Sequence, residues 1–242
     1  MPTQYDNISR EYTRLAMNDR FKRYLQYPEA LRLAGSLEGS MILDIGSGAG
    51  LLTEQLAQKA RVIAYDNSRE QIAQALANPS HKAQYFVADP HNIEDIIRKN
   101  FADIKFDKAI STMVLMYSQD KSELEQFFAS TFNLLNDDGA FSSIIYDPEH
   151  KITDNQGFQR RWTMKGKKLS VDFLDENGNT ITSADFNNYS REDYEDAAKK
   201  AGFTIEWMNL VPSKEGIELF GQQYWEQHMK NPAYIGFIAR KN

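Results

Sequence analysis

The chain has 242 residues and a mass of 27.8 kDa, enough for one large domain with a sizeable core and no need of covalent staples. Lys plus Arg number 28 against 34 Asp plus Glu, a net charge of −6 that repels phosphate backbones and argues against sequence-independent nucleic-acid binding. There is no cysteine, which excludes disulfides, thiol nucleophiles and Cys-ligated metal centres, and neither a long apolar run nor a signal-like leader is visible, so a cytoplasmic protein without membrane contact is expected.

Residues 1–38 space apolar and aromatic side chains as helices do, which predicts an N-terminal helical cap. From Met41 short apolar runs alternate with amphipathic stretches. Strands are predicted at Met41–Ile45, Arg61–Tyr65, Gln84–Ala88, Phe106–Thr112 and Ala140–Tyr146. Helices are predicted near Leu51–Lys59, Arg69–Asn78, Ile93–Asn100 and Lys121–Leu135, with Pro79 stopping the second and Asp138-Gly139 turning the chain after the last. Residues 151–188 read differently. Leu169 to Phe173 alternates with period two, Glu176-Asn177-Gly178-Asn179 supplies a turn, and Thr180–Thr182 restarts a strand. This predicts a β-hairpin lid inserted after the fifth strand. Ser190 with Asp193 caps a following helix that Gly202 ends. Phe203–Leu210 and Tyr234–Arg240 are predicted as final strands, with one helix or helical turn over Gly216–His228 between them. The expectation is a single α/β domain over 1–242, with a doubly wound, mostly parallel seven-stranded sheet.

The run Leu43-Asp44-Ile45-Gly46-Ser47-Gly48-Ala49-Gly50 closes the first strand and opens a helix. Glycines there permit a tight turn and let backbone approach a ligand, while the helix start offers free N–H groups. A dinucleotide loop would place its third glycine where this chain has Leu51, and no Gly-Lys-Ser/Thr phosphate loop follows. Asp44 beside the glycines suits a cationic or hydroxyl-rich ligand, as S-adenosylmethionine is, with its ammonium and sulfonium. Asp66 ends the second strand, 20 residues after Gly46, where a carboxylate accepts from both ribose hydroxyls. Asp89 ends the third and can accept from an adenine amino group. Ser111, Thr112 and Met113 end the fourth, with backbone facing the same crevice. His81, His91, His150 and His228 are not paired at helical spacing, so no metal site is expected.

Strand, glycine loop, helix, Asp66, Asp89 and fourth strand together resemble the class I S-adenosylmethionine-dependent methyltransferases over roughly residues 40–150. Tyr5-Asp6-x-Ile8-x-x-x-Tyr12 and Phe21-Lys22-Arg23-Tyr24 resemble the opening of small-molecule methyltransferases related to the toxoflavin-biosynthesis N-methyltransferase. The run from Ser213 through Gly216, Phe220-Gly221 and Tyr224-Trp225 to Asn231-Pro232 and Ile235-Gly236 is similar to that group's C-terminus. That group usually has Arg at the Lys22 position and Pro-Gly at Asp138-Gly139.

The resemblance implies a Rossmann-like methyltransferase fold, S-adenosylmethionine as cofactor and S-adenosylhomocysteine as product. Cofactor contacts are expected from Tyr5, Lys22, Tyr24, Asp44, Gly46, Ser47, Gly48, Asp66, Asn67 and Ser68. Gln71, Ala88, Asp89, Pro90, Ser111, Thr112, Met113 and Tyr117 complete that expected set. Tyr146, Phe158, Trp162 and Phe173 are expected at a substrate pocket. Tyr117, Tyr146, His91 and His150 are candidates for a base, and none is assigned. The expected partner is a small, aromatic or heterocyclic metabolite methylated on N or O, with the protein a monomer or homodimer. The alternatives are a tRNA or protein methyltransferase, a nicotinamide dehydrogenase disfavoured by Leu51, and a non-catalytic ligand-binding protein on the same fold.

Overall fold

The structure, a computed structural model, describes residues 4–77, 79–102, 104–152, 160–166, 168–175 and 177–242. Helix α1 (Gln4–Asn18), a π-helical turn (Lys22–Gln26) and α2 (Tyr27–Ala34) come first. Then β1 (Met41–Ile45), α3 (Leu51–Leu56), β2 (Arg61–Asp66), α4 (Arg69–Ala75), β3 (Ala83–Val87) and α5 (Ile93–Phe101) alternate. β4 (Phe106–Thr112), a 3₁₀ turn (Leu115–Tyr117), α6 (Lys121–Leu134) and β5 (Leu135–Tyr146) continue the pattern. β6 (Arg160–Lys165), β7 (Lys168–Leu174) and β8 (Thr180–Asn187) form a second, smaller sheet. α7 (Arg191–Ala201), β9 (Phe203–Met208), α8 (Lys214–Phe220), α9 (Gln222–Lys230) and β10 (Tyr234–Lys241) complete the chain.

The large sheet has seven strands in the order β3-β2-β1-β4-β5-β10-β9. The first five strands run parallel, and β10 is antiparallel to both β5 and β9. Central strands such as β1 are buried on both faces, which is why they read as continuous apolar runs. Ile42, Val62, Ala64 and Ile110 pack under α2, α3 and α4 on one face. Leu43, Ile63, Phe106 and Phe141 pack under α5, α6 and α7 on the other. The expected doubly wound, mostly parallel sheet is present. The chain leaves β1 for β2 and β3 on one side, then returns through β4 on the other. The carboxyl ends of β1 and β4 therefore open a crevice, the place where such sheets bind ligands.

Three details depart from the local reading. The turn expected at Asp138-Gly139 is instead a bulge inside β5, which starts at Leu135. Leu135 pairs with Phe106 and Ala140 with Lys108, so residues 136–139 stand opposite Asp107 alone. Asp107 pins this bulge, accepting from Asn136 Nδ2 at 2.8 Å and from the Met41 N–H at 2.8 Å. The helix expected over Gly216–His228 is two helices, broken where Gly221 turns to φ +78° and ψ 155°. The β7–β8 hairpin expected in the insertion is present but carries a third strand, β6, antiparallel to β7. β6 shows no apolar alternation, because its most buried residue is an arginine, Arg160. The Ser190–Asp193 capping box and the left-handed Gly202 that ends α7 are as expected.

Candidate functional site

The glycine run turns the chain from β1 into α3. Gly46, Gly48 and Gly50 all adopt positive φ, a conformation costly for any side chain. The N–H groups of Gly46 and Ser47 donate to the carbonyl of Tyr65 at 2.8 and 3.0 Å, tying the turn to the end of β2. Asp66, the last residue of β2, closes the arrangement. One carboxylate oxygen accepts from Gly48 N–H at 2.9 Å and the other from Ser68 N–H at 2.8 Å. Ser68 caps α4, and its hydroxyl donates to Asp6 of α1 at 2.6 Å. The glycine turn, the start of α4 and the N-terminal helix thus meet around one carboxylate.

Above these strand ends lies a cleft of about 860 Å³. Fourteen of the eighteen residues expected at the cofactor line it: Lys22, Asp44, Gly46, Ser47, Gly48, Asp66, Asn67, Gln71, Ala88, Asp89, Pro90, Thr112, Met113 and Tyr117. Three others are not among its lining. Tyr24 packs its ring on Phe220 at 5.3 Å, Ser68 is turned into the helix cap, and Ser111 shares a hydrogen bond with Ser143 at 2.7 Å. The side chain of Tyr5 and all of Phe158 lie outside the described residues. Asp89 already serves the turn, accepting from the His91 and Asn92 N–H groups through one oxygen at 2.9 and 3.2 Å.

The substrate-pocket candidates stand elsewhere. Tyr146, Trp162 and Phe173 belong to an aromatic seam that seats the small sheet, not to the cleft lining. Tyr146 lies 4.7 Å from Trp162 and Phe173 lies 6.0 Å from Tyr12, ring centre to ring centre. Of the candidate bases, only Tyr117 lines the cleft. Burial pushes the Tyr146 phenol up and out of reach of neutral pH. His150 holds its Nδ1 3.1 Å from the Asn231 carbonyl, and burial lowers its pKa. His91 is exposed at the start of α5.

Electrostatically the cleft pairs buried acids with one buried cation. Asp44 accepts from Thr53 Oγ1 at 2.5 Å, and burial pushes its carboxyl up to about 7 despite that bond. Burial also raises Asp66, against the pull of its two backbone donors. The Lys22 ammonium sits 5.3 Å from the Tyr12 ring centre and 5.7 Å from that of Tyr27. Burial works against its charge. The fields of the Tyr12, Tyr27 and Asp19 oxygens and a bond to Tyr12 outweigh it, so its pKa stands above the usual lysine range. Among the described residues Lys22 forms no ion pair within 4.0 Å. It therefore offers a charge to a ligand anion.

Tyr12, Tyr27 and Glu123 also line the cleft and were not expected there. Tyr12 carried a signal, since it closes the N-terminal motif. Tyr27 carried none, because an α-helix turns residues 22 and 27 apart, whereas the π-turn joins the Tyr27 N–H to the Lys22 carbonyl and brings them together.

The cleft floor has polar groups left over. Ser47 Oγ, Tyr65 OH and Thr112 Oγ1 are buried and have no hydrogen-bond partner among the described residues. All three residues line the cleft. Such groups are costly unless something pairs with them. An adenosyl compound with several hydroxyl, amino and carboxylate groups fits this lining.

Solved structures with this fold include an S-adenosylmethionine-dependent methyltransferase from Mesorhizobium loti, with 18% identity and a TM-score of 0.63, the match covering 93% of this chain and 100% of that one. A sugar N-methyltransferase from Streptoalloteichus matches at 15% identity and a TM-score of 0.61, over 100% of this chain and 94% of that one. The protein DhpI, solved in complex with S-adenosylhomocysteine, matches at 17% identity and a TM-score of 0.59, over 98% of this chain and 93% of that one. At these identities the likeness is one of fold. No curated protein matches the chain. Among the described residues no helix is long and apolar enough to cross a membrane. The family described as "Methyltransferase domain" matches residues 36–202, which contain the glycine turn, Asp66, Asp89 and all of β4, and the chain belongs to that family.

Proposed function

We propose that this protein is an S-adenosylmethionine-dependent methyltransferase that moves a methyl group to a nitrogen or oxygen of a small, aromatic or heterocyclic metabolite, in the manner of the toxoflavin-type N-methyltransferases. The observation that carries the reading is the cleft itself. It joins a ribose-compatible carboxylate, Asp66, to a buried cation, Lys22, under aromatic walls from Tyr12, Tyr27 and Tyr117. When bound, S-adenosylmethionine supplies a methyl carbon already made electrophilic by its sulfonium.

The chain's own work is then binding and alignment. Lys22 holds the ligand carboxylate and Asp44 its ammonium. Asp66 accepts from the ribose hydroxyls, while Ala88, Asp89 and Pro90 border the adenine. Tyr12 and Tyr117 turn aromatic faces toward positive charge, which contributes roughly 0.5–2 kcal/mol. Holding the acceptor atom in line contributes up to about 7–11 kcal/mol of the barrier. No base is assigned. An amine acceptor can lose its proton to water after transfer, and the aromatic lining around Tyr117 suits a planar acceptor. The test is transfer of radiolabelled methyl to a panel of aromatic and heterocyclic amines and phenols, with bulk tRNA and protein as parallel acceptors. Incorporation only into small molecules is expected, and incorporation only into a macromolecule overturns the acceptor class.

The raised Asp44 pKa gives this reading a pH signature. A carboxyl pushed up to about 7 is largely protonated in the free protein at pH 6. Its neutral form stabilises the fold at low pH, and that contribution is lost as pH rises through about 7. Binding an ammonium needs the carboxylate, so below that pKa the ligand must first displace a proton. Affinity for S-adenosylhomocysteine is expected to rise about tenfold from pH 6 to pH 8. Asp44→Asn should bind more weakly and flatten the profile. Calorimetric titration at several pH values checks this, and a slope that survives in Asp44→Asn removes Asp44 from the role.

A further inference from the structure

We propose that Arg160, on the small sheet, is a positioning residue for capture of the ligand carboxylate, acting by neutralising Asp19 so that Lys22 stays available. The proposal rests on the reading of Lys22 above. Arg160 and Asp19 form an ion pair with side chains only 8% and 9% exposed. The guanidinium carbon lies 5.2 Å from the ring centre of Phe21, 5.5 Å from Phe173 and 5.9 Å from Tyr234. These rings come from the N-terminal segment, from β7 and from β10, so the charge sits where three parts of the fold meet.

Asp19 also shapes the segment that carries Lys22. Its other oxygen accepts from the N–H groups of Phe21 at 2.8 Å and Lys22 at 3.1 Å, and its carbonyl accepts from Arg23 N–H at 3.0 Å. The carboxylate is thus fixed at the start of the π-turn, close enough for its field to act on the Lys22 ammonium. Buried ion pairs contribute little net stability compared with apolar residues of similar volume. Here the pair has a second consequence. Without Arg160, Asp19 would be a buried carboxylate with no countercharge, and Lys22 is the cation three residues along. Asp19 would then compete with the ligand carboxylate for Lys22. With Arg160 in place the competition is weakened, and seating of β6 is linked to readiness of the cleft.

The test uses two ligands. S-adenosylhomocysteine has the carboxylate, whereas 5′-methylthioadenosine shares the adenosine and thioether but lacks the amino-acid part. Arg160→Met is expected to weaken S-adenosylhomocysteine about tenfold and 5′-methylthioadenosine less than about twofold. The double variant Asp19→Asn/Arg160→Met removes the competing charge and leaves an amide oxygen for the backbone donors. It should bring S-adenosylhomocysteine back to within about threefold of the parent protein. Equal loss of both ligands, no loss, or no recovery in the double variant overturns the proposal. If Arg160→Met does not fold, the neutral double variant decides alone, with affinity within threefold in favour and a tenfold loss against. The underlying reading fails separately, if Lys22→Met leaves the preference for S-adenosylhomocysteine over 5′-methylthioadenosine unchanged.

Discussion

Gly46→Ala is expected to lower the stability of the ligand-free protein by about 2–5 kcal/mol and to abolish measurable binding of S-adenosylhomocysteine. Two costs add. Gly46 has φ +67°, and a left-handed conformation costs an L-residue about 1–2 kcal/mol. A Cβ there would also stand 2.8 Å from Val114 Cγ1 and closer still to Cγ2, an overpacking that costs about 1–3 kcal/mol. The turn cannot relax away from Val114 without breaking the two bonds from Gly46 and Ser47 N–H to the Tyr65 carbonyl. Gly48→Ala is the control. Its φ is +55°, but the nearest atom to a new Cβ is Gln71 Oε1 at 3.5 Å, so only the backbone cost applies. Thermal melts of both variants decide the matter. If Gly46→Ala melts no lower than Gly48→Ala, the close approach to Val114 has no energetic consequence. Adding Val114→Ala to Gly46→Ala should recover part of the loss by making room.

Asp66→Ala is expected to weaken S-adenosylhomocysteine at least about tenfold, or about 1.4 kcal/mol. One cause is loss of the proposed ribose contact. The other is that the carboxylate organises the crevice before any ligand arrives, through the Gly48 and Ser68 N–H groups. Hydrogen bonds to a charged acceptor contribute about 1.5–3 kcal/mol each. Because the proposed contact is with the sugar, 5′-methylthioadenosine should lose as much affinity as S-adenosylhomocysteine. That separates Asp66 from Lys22, whose loss should act on the amino-acid end alone. Asp66→Asn keeps one acceptor and should fall between the parent and Asp66→Ala. Calorimetry with both ligands checks the pattern, and unchanged affinity in Asp66→Ala removes the ribose contact.

The glycine turn, Asp66 and Asp89 were legible for a local reason. Each ends a strand within a few residues of a turn, so its position on the crevice follows from where the apolar run stops. The helix caps were legible likewise, as Ser190 with Asp193 and Gly202 show. The bulge at residues 136–139 was not, because Asp138-Gly139 has turn chemistry and only the reach of Asp107 to Asn136 and Met41 holds it in the sheet. Strand β6 escaped notice because its inward residue is charged and its partner lies 141 positions earlier in the chain.

The sequence by itself determined the layered α/β fold and the floor of the crevice. Both depend on period, glycine and strand termini, which act over a few neighbouring positions. The tertiary structure decided the roof. Whether Lys22 meets Tyr27 depends on a π-turn, whether Tyr12 faces the cleft depends on how α1 packs on α4, and whether Asp19 is neutralised depends on a strand from the insertion. Tyr146, Trp162 and Phe173 look like pocket residues by type, yet they pack against one another or their neighbours to seat the small sheet. Side-chain chemistry states what a residue can do. The packing of distant segments, driven by burial of their apolar faces, settles which residues reach the ligand.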